Sequence, residues 1–191
     1  MINNKKIHII GSTGSGKTYL ARGLSNKLNI PYYELDSVMW SDSVEFSGKN
    51  PPEIRDKLLE EIITQEQWIV EGIYYKWVAR SFEEADIIIF LTPKPLKRAI
   101  RIVTRFIKQR TGFEKSNYKQ TLKGLVEMLK WNHKFDNENK KKIYEFLEIH
   151  NKKIIVANSN KMLLQADFIG GSLLSYTNGQ FSAIIPIGHI T

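Results

Sequence analysis

Lys5-Lys6-Ile7-His8-Ile9-Ile10-Gly11-Ser12-Thr13-Gly14-Ser15-Gly16-Lys17-Thr18 is the stretch whose reading decides the fold. Residues 5–10 are a short, β-branched run that reads as a strand. From Lys17 to Leu28, apolar Leu20, Leu24 and Leu28 recur at helical spacing. Asn29-Ile30-Pro31 ends that helix, because the residue before a proline is pushed out of the α region. Between strand and helix, residues 11–18 fit G-x-x-x-x-G-K-[ST]. Glycines let the backbone wrap closely around phosphates and turn successive N–H groups inward. The helix that follows presents its positive end to the same phosphates. On this reading Gly11, Ser12, Thr13, Gly14, Ser15 and Gly16 cradle the nucleotide. Lys17 reaches its β- and γ-phosphates as a candidate catalytic residue, and the Thr18 hydroxyl ligates Mg2+. The stretch reads as a P-loop, with ATP and Mg2+ as the implied cofactors.

Outward from the loop, strand and helix patterns alternate. Residues 31–35 read as a second strand ending at Asp36, and residues 41–52 are polar. A helix is predicted over residues 52–64, with proline at its first position, where a missing N–H costs nothing. Strands follow at residues 68–70, ending at Glu71-Gly72, and at 87–91, ending at Thr92-Pro93. Residues 95–150 read as helical, with breaks near Thr111-Gly112 and Asp136-Asn137, and residues 153–157 read as a last strand. Alternating strands and helices predict an α/β fold, a parallel sheet covered on both faces. Residues 166–191 form a C-terminal extension without lysine or arginine, to which the sequence assigns no function.

Composition narrows the function classes. The chain has 191 residues, 42% of them hydrophobic and 25% charged, which suits one medium domain with a buried core. No apolar run approaches the roughly 20 residues that cross a bilayer. The apolar stretch after the first lysines is about four residues long and runs into the glycine loop, too short for a signal peptide. Zero cysteines exclude disulfides, thiolate metal sites and a cysteine nucleophile. The expectation is a cytoplasmic protein with no membrane partner. The net charge of +8 is concentrated: residues 97–153 hold 16 Lys+Arg against 6 Asp+Glu. Such an excess suits phosphate-rich ligands, nucleotide or nucleic acid alike.

Beyond the loop, two carboxylates stand out. Asp36 and Glu71 fall at the C-terminal ends of predicted strands, where open α/β sheets place their ligands. One would hold magnesium through water and the other orient the acceptor, as candidate catalytic residues, and Gly72 would allow backbone to approach a ligand. The competing reading makes both carboxylates partners of nearby lysines. Arg98, Arg101 and Arg105 share one helix face, with Lys97, Lys108 and Arg110 close by. Of these, Arg101 and Arg105 are the candidates to stabilise charge on a transferred phosphoryl group. The alternative is a solvated basic face. Trp40, Tyr74, Tyr75 and Trp77 follow strand ends and suit either base stacking or packing. The four histidines show no metal-ligand spacing.

These residues resemble the adenylate-kinase-like P-loop proteins known as topology modulation (FlaR-type) proteins. The resemblance runs from Lys5 to about Leu164 and includes the P-loop, Leu35-Asp36-x-x-x-Trp40, Trp68-Ile69-Val70-Glu71-Gly72, Ala85-Asp86 before a strand, the arginine-rich helix and Trp131. It implies a P-loop NTPase fold of three α/β/α layers, like a nucleoside monophosphate kinase. Its domain spans residues 1–165, with a roughly five-stranded parallel sheet and a helical lid from residues 95–135. Where the family's middle motif reads Asp-Gly-Asn-Tyr, this chain has Glu71-Gly72-Ile73-Tyr74. The resemblance also implies that Asn158 and Ser159 lie where such folds hold adenine. The resulting expectation is a Mg·ATP-dependent kinase of a nucleotide or other small molecule. Its acceptor would sit among Asp36, Arg55, Gly72 and Arg80. The alternative, carried by the family's label and the basic segment, is a DNA-associated or regulatory NTPase that hydrolyses ATP.

Overall fold

The computed structural model describes residues 6–42, 47–114, 121–165, 167–169, 172–177 and 180–183. Five strands form one parallel sheet: β1 (Lys6–Gly11), β2 (Tyr32–Glu34), β5 (Trp68–Gly72), β6 (Ile87–Leu91) and β7 (Ile154–Ala157). Their spatial order is β2-β5-β1-β6-β7, with β1 at the centre. Ile10 is in register with Gly72 on one side and Phe90 on the other. Strands buried on both faces read as continuous apolar runs, as Ile87-Ile88-Ile89-Phe90-Leu91 does.

The pleat sends alternate side chains of β1 to opposite layers. Ile7 and Ile9 pack with Leu20 and Leu24 of α1 (Lys17–Leu28) and with Leu163 of a short C-terminal helix. Ile10 packs in the other layer, with Ile63 of α3 (Pro52–Ile63), Phe82 of α4 (Ala79–Glu84), and Ile143 and Leu147 of α7 (Lys140–Leu147). Each fully buried Ile or Leu contributes about 1.5–3 kcal/mol, so the two layers are the main source of stability. The expected three-layer α/β/α arrangement with five parallel strands is what the chain forms. Among the described residues no helix is long and apolar enough to cross a membrane.

Three local readings change. The polar stretch after Trp40 contains a small antiparallel pair, β3 (Trp40–Asp42) and β4 (Ser47–Lys49), preceded by the short helix α2 (Leu35–Met39). The helical region begins with α5 (Pro95–Arg110) and resumes at α6 (Leu122–Lys134). The break expected near Asp136-Asn137 does not occur. Phe135–Asn139 is a π-helical turn that leads directly into α7, with helical dihedrals at Phe135 and Lys140. It is tied on both sides: Phe135 is buried edge-on to Phe90, while Asn132 and Asp136 bond Arg98. Finally, the extension forms β8 (Asp167–Ile169), β9 (Ser172–Thr177) and β10 (Gln180–Ala183), after α8 (Asn160–Gln165). They pair antiparallel as a sheet separate from the parallel one. Residues 184–191, and Lys5 at the other end, lie outside the described residues.

His8, on the central strand, is fully buried. Its ring stacks on Phe82 with centroids 3.9 Å apart, and Nδ1 lies 2.8 Å from the Ser81 hydroxyl. That hydroxyl donates to the Val78 carbonyl at 2.7 Å, so His8 Nδ1 carries the hydrogen and Nε2 keeps a lone pair without a partner among the described residues. Burial pushes the His8 pKa from 6.5 down to about 3. The unfolded chain therefore takes up a proton below pH 6.5 that the folded one refuses, and stability falls as pH falls through that window. Between pH 7 and pH 5, His8 should cost about 2 kcal/mol of unfolding free energy. Urea denaturation should show this slope in the wild type and its absence in His8→Gln; equal slopes would contradict it.

Candidate active site

All five parallel strands end on one edge of the sheet, and the glycine loop follows the central one. The loop takes its shape from backbone that only glycine adopts readily: φ is 74° at Gly14 and 92° at Gly16. Its turn is closed by the Ser15 N–H on the Ser12 carbonyl at 3.1 Å, and Lys17 Nζ donates to the same oxygen at 3.2 Å. Ser12 and Ser15 are buried, and the Ser15 hydroxyl has no partner among the described residues.

The neighbouring strand β5 brings a carboxylate to the loop. Glu71 is buried at the end of β5 and accepts from the Thr18 hydroxyl at 2.5 Å. Burial pushes the Glu71 carboxyl up, opposed by the Lys17 ammonium and the Thr18 hydrogen bond, with Glu34 and Asp36 adding to the rise. Lys17 is pushed down by burial, while Glu71 and Asp36 pull it up and the Arg105 guanidinium presses it down again. Each charge is thus desolvated and offset chiefly by the other. Glu71 thus links Thr18, by a hydrogen bond, with the charges of Lys17 and Asp36. Thr18 and Glu71 supply hard oxygens, the donor type magnesium prefers. Among the described residues no group of three His, Asp or Glu could hold a metal by itself.

On the far side of Asp36 lies an aromatic array. Asp36, in the first turn of α2, accepts from the Tyr74 hydroxyl at 3.0 Å. Burial, and then Asp36 itself, raise the tyrosine pKa, so its proton stays on. Tyr74 meets Trp77 at 5.4 Å between centroids, and the Arg55 guanidinium lies 4.5 Å above the Trp77 ring. Arg55 also pairs with Asp56 at 2.7 Å, and its side chain is only 18% exposed. A cation on an aromatic face, reached through Tyr74 from a carboxylate, offers both a hydroxyl-binding and an anion-binding group.

The structure treats the remaining predicted residues differently. Among the described residues no contact brings Arg80 to this cluster; its guanidinium pairs with Glu60 of α3 at 2.6 Å, with more than half of its side chain exposed. Gly72 does permit a close approach, but of Leu35 rather than of a ligand: a Cβ there would stand 2.9 Å from Leu35 Cβ. Asn158 and Ser159 follow β7 at the same sheet edge, Asn158 exposed and Ser159 half-buried. Of the arginine face, Arg98 is fully buried and structural. It donates to Asn132 Oδ1 at 2.6 Å and to the Pro93 carbonyl at 2.9 Å, and it pairs with Asp136. Among the described residues Arg105 reaches only Met128 Sδ, at 3.8 Å, and its charge bears on Lys17. Arg101 donates to the loop carbonyls of Gly14 at 3.2 Å and Ser15 at 2.6 Å. One participant escaped the sequence reading: Asn160, which opens α8 and donates to the Gly16 carbonyl at 2.9 Å. Its only signal was its place directly after Asn158-Ser159.

No protein-family model matches the chain, and no curated protein does either. Among solved structures it is similar to a gluconokinase from Sinorhizobium meliloti 1021, with a TM-score of 0.42 and 16% identity, over 68% of this chain and 74% of that one. A likeness this distant assigns neither substrate nor reaction to this chain.

Proposed function

We propose that this protein is a P-loop phosphotransferase that uses Mg·ATP to phosphorylate a small molecule, of nucleotide type or another hydroxylated metabolite. The observation that carries the reading is the meeting, at one sheet edge, of a phosphate cradle with an acid-and-cation array. The loop with Lys17 faces the donor; Asp36, Tyr74, Trp77 and Arg55 face the acceptor. Magnesium, when bound, offsets the charge of the β- and γ-phosphates during transfer. Thr18 and Glu71 hold it, directly or through water, and Lys17 and Arg105 are the cations that bear on the transferred group. The Asp36 carboxylate accepts the acceptor's hydroxyl hydrogen, and Arg55 binds an anionic group if the acceptor carries one. Similarity to topology modulation proteins in the sequence motifs belongs to the same reading.

The basic segment over residues 97–153 favours a second reading, a DNA-associated NTPase. One screen separates the two. ATP consumption with magnesium is followed in the presence of nucleoside monophosphates, nucleosides, small hydroxylated metabolites or duplex DNA. The kinase reading expects ADP formed one-for-one with a phosphorylated small molecule, indifferent to DNA. Stimulation by DNA alone, with binding that weakens steeply as salt rises, would replace it with the second.

A further inference from the structure

We infer that Arg101 and Asn160 form a clamp behind the glycine loop which aims its amides. Arg101 is then a positioning residue and not a ligand of the terminal phosphate; the inference rests on the nucleotide-binding reading above. Three consecutive loop carbonyls are held from outside: those of Gly14 and Ser15 by Arg101, and that of Gly16 by Asn160, which shares it with the Leu20 N–H of α1 at 3.0 Å. A trans peptide is planar, so a carbonyl and the N–H that follows it point opposite ways. Fixing the Ser15 and Gly16 carbonyls therefore turns the Gly16 and Lys17 N–H groups away from the clamp, toward the interior of the loop. The first amides of α1 have no acceptor within the helix, so they are free to meet an anion there.

The glycines support this arrangement. A Cβ on Gly16 would stand 2.3 Å from Asn160 Nδ2 and 3.1 Å from the Arg101 guanidinium, and one on Gly14 would stand 2.7 Å from the Arg98 carbonyl. These two glycines are required on the outer side of the loop, where α5 and Asn160 press against it. The clamp is also rigidly based. Arg98, one turn before Arg101, is buried and bonded to Asn132, Asp136 and the Pro93 carbonyl, while buried Asn160 follows the edge strand β7.

The test uses the full chain with Arg101→Ala, Arg101→Lys, Asn160→Asp and Arg105→Ala. Two quantities are read: hydrogen exchange without nucleotide of the two bonded amides at the loop, Ser15 on the Ser12 carbonyl and Leu20 on the Gly16 carbonyl, and the Kd values of Mg·ADP and Mg·ATP. Arg101→Ala and Asn160→Asp should speed loop exchange while leaving β1 and β6 protected. Both should weaken ADP and ATP alike, by about tenfold or more with a ratio held within roughly twofold, as loss of a charge-assisted or buried hydrogen bond implies. Arg101→Lys should fall between, and Arg105→Ala should leave loop exchange unchanged. Unaltered loop exchange in Arg101→Ala, or a loss confined to ATP, would overturn the clamp. If the wild type binds neither nucleotide, the phosphotransfer reading falls, and loop exchange still judges the clamp.

Discussion

Lys17→Ala is expected to lower Mg·ATP-dependent turnover by about 10²–10³-fold or more, the usual cost of deleting a preorganised group that meets charge developing in the transition state. The ammonium is set against the Ser12 carbonyl at 3.2 Å, and its partners in charge are first the buried Glu71 and then Asp36. It is therefore already desolvated and aimed, and a phosphate entering the loop completes its coordination without reorganisation. Removing it does more than delete one contact. The Glu71 carboxyl loses the attraction that opposes its burial, so its pKa rises further. Nucleotide affinity and turnover should thus fall together, with far-UV circular dichroism unchanged. Affinity and turnover both equal to wild type would end the nucleotide reading of the loop.

Arg98→Ala should be the most destabilising single change in the helical region, by about 3–5 kcal/mol, the cost of breaking a buried ion pair from one side. For a chain of this length that corresponds to a fall in Tm of roughly 6–20 °C. The guanidinium is completely buried, lies 5.2 Å from the centre of the Phe135 ring, and joins the first turn of α5 to the end of α6 and the π turn through Asn132 and Asp136. Truncation leaves the Asp136 carboxylate without its cation, the Asn132 and Pro93 acceptors empty, and a cavity between the helices. Arg98→Lys keeps the charge but not the fork, and should recover only part of the loss. Thermal melts of the two variants and of Asp136→Asn decide the point. A melt for Arg98→Ala within about 1 °C of wild type would show that the clamp between α5 and α6 contributes nothing to stability.

The comparison of arginines shows where sequence reading reaches its limit. Arg98, Arg101 and Arg105 lie on one helix face by spacing alone, and spacing offers Arg101 and Arg105 equally as phosphate ligands. In the fold they have three fates: a buried tie to the next helix, a hold on loop carbonyls, and a reach to Met128 with its charge bearing on Lys17. Helical periodicity states which side chains share a face; it does not state what that face meets. Arg55 and Arg80 divide in the same way. Both are helix-borne, yet one stacks on Trp77 behind the Asp36 array and the other pairs with Glu60.

What the sequence determined by itself is the strand–loop–helix around Lys17, the parallel sheet and the buried strands. Those follow from local steric and hydrophobic rules acting over a few consecutive residues: β-branched runs, glycines where φ must be positive, and proline where a helix must stop. The short helix carrying Asp36, the unbroken π turn at Phe135, and the partnership of Asn160 with Gly16 were decided only by the tertiary structure. Asn160 and Gly16 are 144 positions apart, and nothing local to either announces the other. A hydrogen bond of that range exists because the sheet stacks the ends of β1 and β7 on one edge, an outcome of the whole core rather than of any segment within it.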